Sequence, residues 1–474
     1  MTEEPQSQPV QPPLQPPILQ AIARLAPFAI LSFILQNAYN QLDAWFLGHI
    51  SAASGNALGL FMFVQIANFG VILIHARGTQ SLVGRRIGAG QREEAAHALA
   101  QGLGLALRVV VPLTALQWIF APQLLRFMGG EGQAVEQATL FLRTLFLFMP
   151  VLYVSPILDF SFQALGDTRT PFRLQFLALA VNAALNWVLV FPHELAVGGT
   201  TLSFGGWGVA GSAVATGLSR LLAVLLGFAI FLRRYRFAAL LEPRSYRGER
   251  RVVREILRVG LPAGSSTLIY SVVGVFVLQV VGRFGQDAYG AYGIGFRGVE
   301  SFSFMIVLGI GTATATVAAH AAGAGDFQRV RRAGHVGAAV GAACMLVTGM
   351  LFRQFPSELA GIYTSHANLQ EQAASYISAM ALCQVPQSLE MIYGDAMAGA
   401  GSTARTVMIQ VPGNALRIPL AWLLAVTLGM GLPGVWLAII ASAVLKGAGV
   451  TALYLSRSWE RAMHRGRELL LEAR

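Results

Sequence analysis

Residues 25–50, LAPFAILSFILQNAYNQLDAWFLGHI, form an apolar stretch of membrane-spanning length that carries a single carboxylate. In a helix, its polar side chains follow at spacings of four, four and three residues and therefore share one face: Ser32, Gln36, Asn40 and Asp43. We expect this face to point towards protein or water. A charged side chain in hydrocarbon costs about 2.5–3.5 kcal/mol on insertion scales, so Asp43 is the first functional candidate. The alternative is a solvated Asp43 at the membrane interface, because Gly48 and His49 follow closely.

The composition of the whole chain indicates a membrane protein. Of its 474 residues, 55% are hydrophobic and 12% are charged, with a mean hydropathy of +0.57, whereas soluble domains are about 25% charged. The net charge of +11 does not indicate nucleic-acid binding, because the arginines cluster in short links between apolar segments. Cys344 and Cys383 lie inside apolar segments, so neither a disulfide framework nor a metal cluster is predicted.

Twelve apolar segments reach the length of about 20 residues that a bilayer requires. Their approximate spans are 22–48, 55–83, 94–120, 134–163, 170–192, 208–232, 254–283, 288–318, 329–353, 369–398, 404–428 and 432–456. The alternating ten-residue strands of a membrane barrel are absent from the sequence, so we predict an all-α membrane protein with twelve transmembrane helices.

The arginines predict the orientation, because Arg and Lys accumulate in short cytoplasmic loops. The links after even-numbered segments hold many of them, including Arg85, Arg86, Arg92, Arg233, Arg234, Arg236, Arg244, Arg247, Arg250, Arg251, Arg331, Arg332 and Arg405. The links after odd-numbered segments hold little beyond Arg126, Arg283 and Arg353. Both termini are then cytoplasmic. Residues 1–18 are acidic and rich in proline, which indicates a disordered tail without a cleaved signal peptide, and residues 458–474 form a second cytoplasmic tail.

The chain repeats itself at an offset of 235 residues. Three widely separated matches carry the repeat: Pro27 with Pro262, the Gly88-Ala89-Gly90 turn with Gly323-Ala324-Gly325, and Gly166 with Gly401. Two six-helix lobes in parallel orientation are therefore predicted, related by a pseudo-two-fold axis along the membrane normal, with a central site between them. The predicted domains are lobes 19–232 and 254–457, joined by the basic cytoplasmic linker 233–253.

The two halves differ at the position of the carboxylate. Where the second half should match Asp43, it reads VFVLQVVGRFG (275–285), with only Gln279 among apolar residues nearby. A purely structural role in both lobes would not predict this one-sided carboxylate.

Together these motifs resemble the multidrug and toxic compound extrusion (MATE) transporters of the flippase-like superfamily, over residues 20–456. The order of the glycine-rich strings carries the resemblance: Pro27, Asp43 and Gly48 in the first segment, GAG with arginines after the second and eighth, GDTRTP (166–171), Asn182 and Asn186 in the fifth, GVAGSA in the sixth, GLP (260–262), and GAGST after the tenth. The resemblance implies proton- or sodium-driven export of organic compounds by alternating access between the lobes.

The resemblance also implies a cation-coupling site in the amino lobe. Asp43 matches the Asp that binds the coupling cation in bacterial members, and Asn182 matches a fifth-helix Asn of the same polar cluster. Asn186 stands where one branch has a second Asp. With Gln36 and Asn40 from the polar face, these residues form the predicted site for H⁺ or Na⁺, and no other metal is expected.

Secondary carboxylates are less well matched. Another branch has a Glu in the seventh helix and an Asp in the tenth, where this chain has approximately Tyr270 and Gln387. The remaining candidates are Glu300, Glu390, Asp395 and Asp159. A further hypothesis is a drug cavity lined by aromatic and Met side chains, and ordinary packing of these side chains is the alternative. The residues concerned are Tyr153, Tyr270, Phe276, Met391 and Tyr393.

We therefore expect no enzyme and no cofactor, since the sequence has no phosphate-binding loop and no metal-ligand spacing. The predicted protein is a monomeric antiporter in the cytoplasmic membrane, surrounded by lipid, that exports organic, mainly cationic, compounds in exchange for H⁺ or Na⁺. One alternative is a flippase of a lipid-linked precursor, which would use a cationic cavity built from Arg143, Arg220, Arg297, Arg417 and Lys446. The other is a channel or a receptor without transport activity.

The orientation can be tested by labelling single cysteines in a variant that lacks Cys344 and Cys383. Arginine asymmetry predicts that Thr200→Cys reacts with an impermeant maleimide in intact cells and that Arg247→Cys reacts only after the cells are opened. The reverse pattern would overturn the orientation.

Overall fold

The computed structural model describes residues 16–50, 52–127, 132–197 and 200–460. Residues 1–15 and 461–474, which make up most of the two predicted tails, lie outside the described residues. The last described residues pack against the protein: Trp459 is buried and its Nε1 donates a hydrogen bond to the carbonyl oxygen of Tyr454 at 2.9 Å.

Helices dominate the fold. The first half contains α1 (Ile18–Gly48), α2 (Ala52–Gly88), α3 (Arg92–Phe127), α4 (Gly132–Phe146), α5 (Met149–Ala164), α6 (Arg169–Val190), the strands β1 (Pro192–Val197) and β2 (Thr200–Gly205), and α7 (Gly208–Arg233). The second half contains α8 (Arg250–Gly282), α9 (Gln286–Gly293), α10 (Ser301–Ala324), α11 (Phe327–Gln354), α12 (Pro356–Gly361), α13 (Ala367–Met380), α14 (Gln384–Gly399), α15 (Ala404–Ala415), α16 (Arg417–Ala421) and α17 (Leu432–Leu455).

All twelve predicted segments are helical. Within the described residues, nine helices are long and apolar enough to cross a membrane on their own, or ten with the bent pair α4 and α5. This pair meets at an angle of 60°, and the break precedes Pro150, which cannot donate a helical hydrogen bond. A 3-10 turn over Ala381–Cys383 interrupts the tenth segment shortly before Pro386.

The all-α membrane fold is confirmed, and the link predicted at 193–207 also contains two short strands. Strands β1 and β2 form an antiparallel hairpin there, with a register that runs from Pro192 opposite Gly205 to Val197 opposite Thr200. A Gly-Gly pair between two runs that contain β-branched residues is typical of a β-hairpin. Hydropathy, from which the helices were predicted, does not detect this pattern.

The predicted pseudo-two-fold relation appears directly in the contacts between the lobes. The Ser81 hydroxyl donates to the carbonyl oxygen of Ala398 at 2.7 Å, and the Thr316 hydroxyl donates to that of Gln163 at 3.1 Å. Both residues of the second bond are offset by 235 from those of the first. Such reciprocal contacts are typical of an interface with two-fold symmetry.

The pseudo-two-fold axis passes close to Gly84. A Cβ added to Gly84 would lie 2.8 Å from the Cβ of Ala319, which is its own counterpart at the same offset. Both GAG turns lie at this end of the molecule, so the repeats run in parallel and the axis follows the helices. We call this end the GAG end. The opposite end, which bears β1 and β2, is called the hairpin end.

Buried hydrophobic side chains show that the lobes meet mainly at the GAG end. Here the amino-lobe core includes Val252 and Ile256 of α8, and the carboxy-lobe core includes Ile22 and Leu25 of α1. Towards the hairpin end, each core that the described side chains form is built from one lobe alone. The lobes therefore form a V that is closed at the GAG end and open at the hairpin end.

Helices α2 and α8 approach each other closely at glycines. A Cβ at Gly260 would collide with the carbonyl oxygen of Ile74, and one at Gly78 would collide with that of Ile256. Small residues permit such backbone approach where lipid supplies no hydrophobic drive for helix association.

Gly260→Ala tests this close approach. We expect a lower thermal unfolding midpoint in detergent, because overpacking costs about 1–3 kcal/mol. Gly274→Ala on the same helix is the matched control: no atom of the described residues lies within 4 Å of its added Cβ, and replacing a helical Gly by Ala stabilises by about 0.5–1 kcal/mol. Equal shifts in the two variants would contradict the close packing.

Candidate functional site

Asp43 lies between α1, α6 and α7. Its Oδ1 accepts a hydrogen bond from Asn186 Nδ2 at 3.1 Å, and the Thr216 hydroxyl lies 2.9 Å from its Oδ2. Within the described residues, no Arg, Lys or His forms an ion pair with this carboxylate. Asp43 is therefore held by neutral donors, and its negative charge is not compensated by direct contact with a basic side chain.

Several oxygens on α6 and α7 near this carboxylate have no hydrogen-bond partner among the described residues. Asn182 and Asn186 are fully buried and four residues apart on α6, and the Nδ2 of Asn186 also donates to the carbonyl oxygen of Asn182 at 3.1 Å. Within the described part of the chain, the side-chain oxygens of both residues and the hydroxyl of buried Ser212 have no hydrogen-bond partner. Together with the carboxylate they form a set of oxygen donors of the kind that binds a proton or a hard cation. The structure thus brings Asp43, Asn182 and Asn186 together as predicted.

Asn40 requires a correction, because its side chain is exposed. Tyr39 turns towards α7 instead, and its hydroxyl lies 2.6 Å from the hydroxyl of Ser219. The buried face of α1 therefore runs through Ser32, Gln36, Tyr39 and Asp43, at spacings that still fit a helix. Tyr39 is absent from the predicted polar face because tyrosine is less strongly polar than the Ser, Gln, Asn and Asp side chains that defined the face.

Gln36 lies on this face and contacts a buried arginine. Its Oε1 accepts a hydrogen bond from Arg220 at 2.9 Å, and the guanidinium of Arg220 lies 4.2 Å from the ring centroid of Tyr39. Ser212, Thr216 and Ser219 precede Arg220 on α7, which makes this helix the polar wall of the site.

Asp159 belongs to a separate part of the amino lobe. Its Oδ2 accepts a hydrogen bond from Gln175 at 2.9 Å. A small cavity joins these two residues to Arg220 and Ser155. Within the described residues, Asp159 and Asp43 therefore share no hydrogen-bond donor.

The carboxy-lobe carboxylates have strong partners. Glu390 forms an ion pair with Lys446 at 2.9 Å, and the two side chains are only 7% and 4% exposed. Glu300 accepts a hydrogen bond from the Tyr376 hydroxyl at 2.5 Å. Glu300 also lines a small cavity, together with several apolar residues and five other polar ones. The polar residues are Tyr270, Tyr292, Tyr376, Gln387 and Arg417. Lys446, the only lysine in the chain, thus neutralises Glu390 directly.

The five predicted drug-cavity residues do not converge on one space. Tyr153 is fully buried and donates to Asn68 in the amino lobe at 3.0 Å. Tyr393 lies 3.2 Å from His335 in the carboxy-lobe core. Tyr270 lines the Glu300 cavity, Phe276 is exposed and Met391 is partly buried. Side chains of this kind also pack ordinary cores, and hydropathy does not separate the two uses.

The GDTRTP motif has a structural use. Asp167 accepts hydrogen bonds from the backbone of Thr170 at 3.0 Å and from Tyr235 at 2.7 Å, and it pairs with Arg234 at 3.1 Å. Burial raises the pKa of Asp167, but these hydrogen bonds and the Arg234 charge outweigh it and hold that pKa below its usual value. Asp167 thereby ties the start of α6 to the segment that follows α7.

Comparison with known proteins gives consistent matches along the chain. The MatE family model matches residues 29–188 and 262–423. Two probable multidrug resistance proteins NorM are similar: that of Thermotoga maritima, at 26% identity over 96% of both chains, and that of Pseudomonas aeruginosa, at 28% identity over 94% of this chain and 90% of the other.

Solved structures share the fold. An outward-facing multidrug resistance MATE family transporter of the MOP superfamily has a TM-score of 0.84 at 22% identity and covers 95% of this chain and 98% of its own. A MOP superfamily transporter from Pyrococcus furiosus has a TM-score of 0.84 at 22% identity and covers 94% and 96%.

Tyr39→Phe and Asn40→Ala test which side chain belongs to the buried face. We expect Tyr39→Phe to lower the free energy of unfolding by about 0.5–1.5 kcal/mol, because it removes a buried hydrogen bond. Asn40→Ala should change it by no more than about 0.5 kcal/mol. Denaturant unfolding of the purified variants provides the measurement, and a larger loss in Asn40→Ala would reverse the assignment.

Proposed function

The chain belongs to the multidrug and toxic compound extrusion family of membrane transporters, and from that premise we propose that it is a secondary active antiporter. It exports organic, mainly cationic, compounds from the cytoplasm in exchange for H⁺ or Na⁺. It works as a monomer in the cytoplasmic membrane, with both termini in the cytoplasm. Neither an enzymatic reaction nor a cofactor is part of this proposal.

One observation carries the proposal: Asp43 is a partly buried carboxylate whose hydrogen-bond donors, Asn186 and Thr216, are neutral. An uncompensated charge is unfavourable in a medium of low polarity, so a mobile cation can bind and be released with a large effect on the local free energy. Glu390 lacks this property because Lys446 neutralises it. We therefore assign the coupling role to the amino lobe.

The surrounding oxygens support either coupling ion. A proton would bind to Asp43 alone, whereas Na⁺ would also use the unpaired oxygens of Asn182, Asn186 and Ser212. The membrane potential adds about 2.3 kcal/mol per charge per 100 mV, enough to drive accumulation against a gradient.

The V shape supports alternating access. With the GAG turns on the cytoplasmic side, as the arginine distribution predicts, the cleft opens to the outside. In this state the coupling cation reaches Asp43 from outside, and substrate leaves. Return to the state that opens inward requires the contacts at the GAG end to separate.

The flippase alternative has less support. Binding of a lipid-linked anionic precursor would require basic side chains that are not already engaged by other groups. Lys446 pairs with Glu390, however, and Arg417 donates a hydrogen bond to Ser442 at 3.0 Å. Arg143 lies 4.9 Å from the ring centroid of Trp118. The side chain of Arg297 lies outside the described residues.

Asp43→Asn tests the coupling role. We expect coupled efflux to be abolished while folding and substrate binding persist, because Asn keeps the shape and the hydrogen-bonding capacity but loses the titratable charge. Wild type and variant are reconstituted at matched amounts, and binding of ethidium is compared with its efflux under an imposed proton or sodium gradient.

Asp287→Asn is the matched control, since Asp287 is exposed and accepts a hydrogen bond from the neutral side chain of Asn368. Efflux by Asp43→Asn at the wild-type rate would show that coupling lies elsewhere, with Glu300 the next candidate. Loss of binding together with efflux would make Asp43 a substrate ligand.

A further inference from the structure

Arg77 and Asp395 form an ion pair between the two lobes. Arg77 lies on α2 and Asp395 on α14, and Nη1 of the guanidinium is 3.5 Å from Oδ1 of the carboxylate. The side chains are 12% and 16% exposed, so solvent screens the pair only partly. The coupling role assigned to Asp43 makes no use of these two charges.

The pair lies close to the pseudo-two-fold axis. Phe160 is the counterpart of Asp395 at the 235-residue offset, and the guanidinium of Arg77 lies 4.9 Å from the ring centroid of Phe160. Arg77 therefore contacts two symmetry-related positions at once. Ser81 and Gly84, one and two turns further along α2, join the lobes at the GAG end, which places the ion pair at the bottom of the cleft.

The carboxylate of Asp395 is only partly satisfied. Its Oδ2 is buried and has no hydrogen-bond partner within the described residues. On this side the carboxylate lies against Gly311, where an added Cβ would collide with Oδ2. The pair with Arg77 is thus the main compensation for the charge of Asp395.

Opening of the GAG end would separate this pair, because each partner moves with its own lobe. A lone carboxylate is not stable in a dry interior, so Asp395 must then face the water that enters between the lobes. In that state it is an acidic group on the central axis without its cation. Organic cations bind to such groups, and an aromatic ring such as Phe160 adds a further attraction.

We propose that Asp395 binds the cationic substrate while the cleft is open at the GAG end, and that Arg77 displaces this cation when the GAG end closes. The proposal rests on the export function proposed above and assigns its substrate-binding carboxylate. Guanidinium is permanently charged, so the displacement needs no proton transfer. Closure itself exchanges a mobile cation for a tethered one and releases the substrate towards the hairpin end.

Equilibrium binding of tetraphenylphosphonium to the full-length protein tests the exchange. Arg77→Gln should bind the probe about tenfold more tightly than wild type and should release it more slowly in gradient-driven efflux. Arg77→Lys retains the charge and should resemble wild type. Asp395→Asn should weaken binding of the probe. Adding Arg77→Gln to Asp395→Asn should not change the affinity further, because both substitutions act on the same interaction.

Arg85→Gln is the matched control. Arg85 is on the same helix and pairs with Glu255 of the other lobe at the same distance, 3.5 Å. Its loss loosens the GAG end without removing the cation next to Asp395. A change in affinity through opening alone would therefore appear equally in both arginine variants.

The outcomes separate the two proposals. If wild type exports tetraphenylphosphonium but Arg77→Gln and Arg85→Gln change its affinity equally, or Asp395→Asn leaves the affinity unchanged, the assignment of Asp395 is overturned. If wild type shows no gradient-driven flux of this cation, the export of cations is itself overturned, and the assignment falls with it.

Discussion

The structure depends on the close approach of the two repeats along their pseudo-two-fold axis. Hydrocarbon provides little drive for helices to associate, so the lobes must be joined by van der Waals contact and by hydrogen bonds. Gly84 and Ala319 supply the contact, and the reciprocal bonds from Ser81 and Thr316 to backbone carbonyls supply the polar part. Backbone carbonyls accept these bonds, so the symmetry of the junction needs only a small hydroxyl residue at each of the two positions.

The charges depart from this symmetry. The counterpart of Asp43 is Leu278, the counterpart of Asp395 is Phe160, and that of Arg77 is Thr312. An axis that follows the helices exchanges the two lobes but does not relate the GAG end to the hairpin end, so these one-sided charges make the two lobes chemically different. The acidic and basic groups are therefore the part of the molecule that can respond to an ion or to a charged substrate.

The lobes also treat buried charge differently. In the carboxy lobe, Glu390 and Lys446 neutralise each other within hydrogen-bond distance, which balances much of the desolvation cost inside the protein. In the amino lobe, Asp43 is surrounded by amide and hydroxyl groups, which orient a carboxylate without neutralising it. In the proposed function a mobile ion completes the second arrangement, whereas Lys446 already completes the first.

Hydropathy and the 235-residue offset, read from the sequence alone, determined the class of protein, the twelve helical segments, the parallel repeat and the prominence of Asp43. These features are encoded locally or as a fixed spacing, because a bilayer imposes length and polarity on each segment separately. Only the tertiary structure decided that Tyr39 replaces Asn40 on the buried face, that Lys446 neutralises Glu390, and that Arg77 meets Asp395. The partners in these contacts lie between 56 and 318 residues apart, and no periodicity of a single helix specifies which faces of two distant helices will meet.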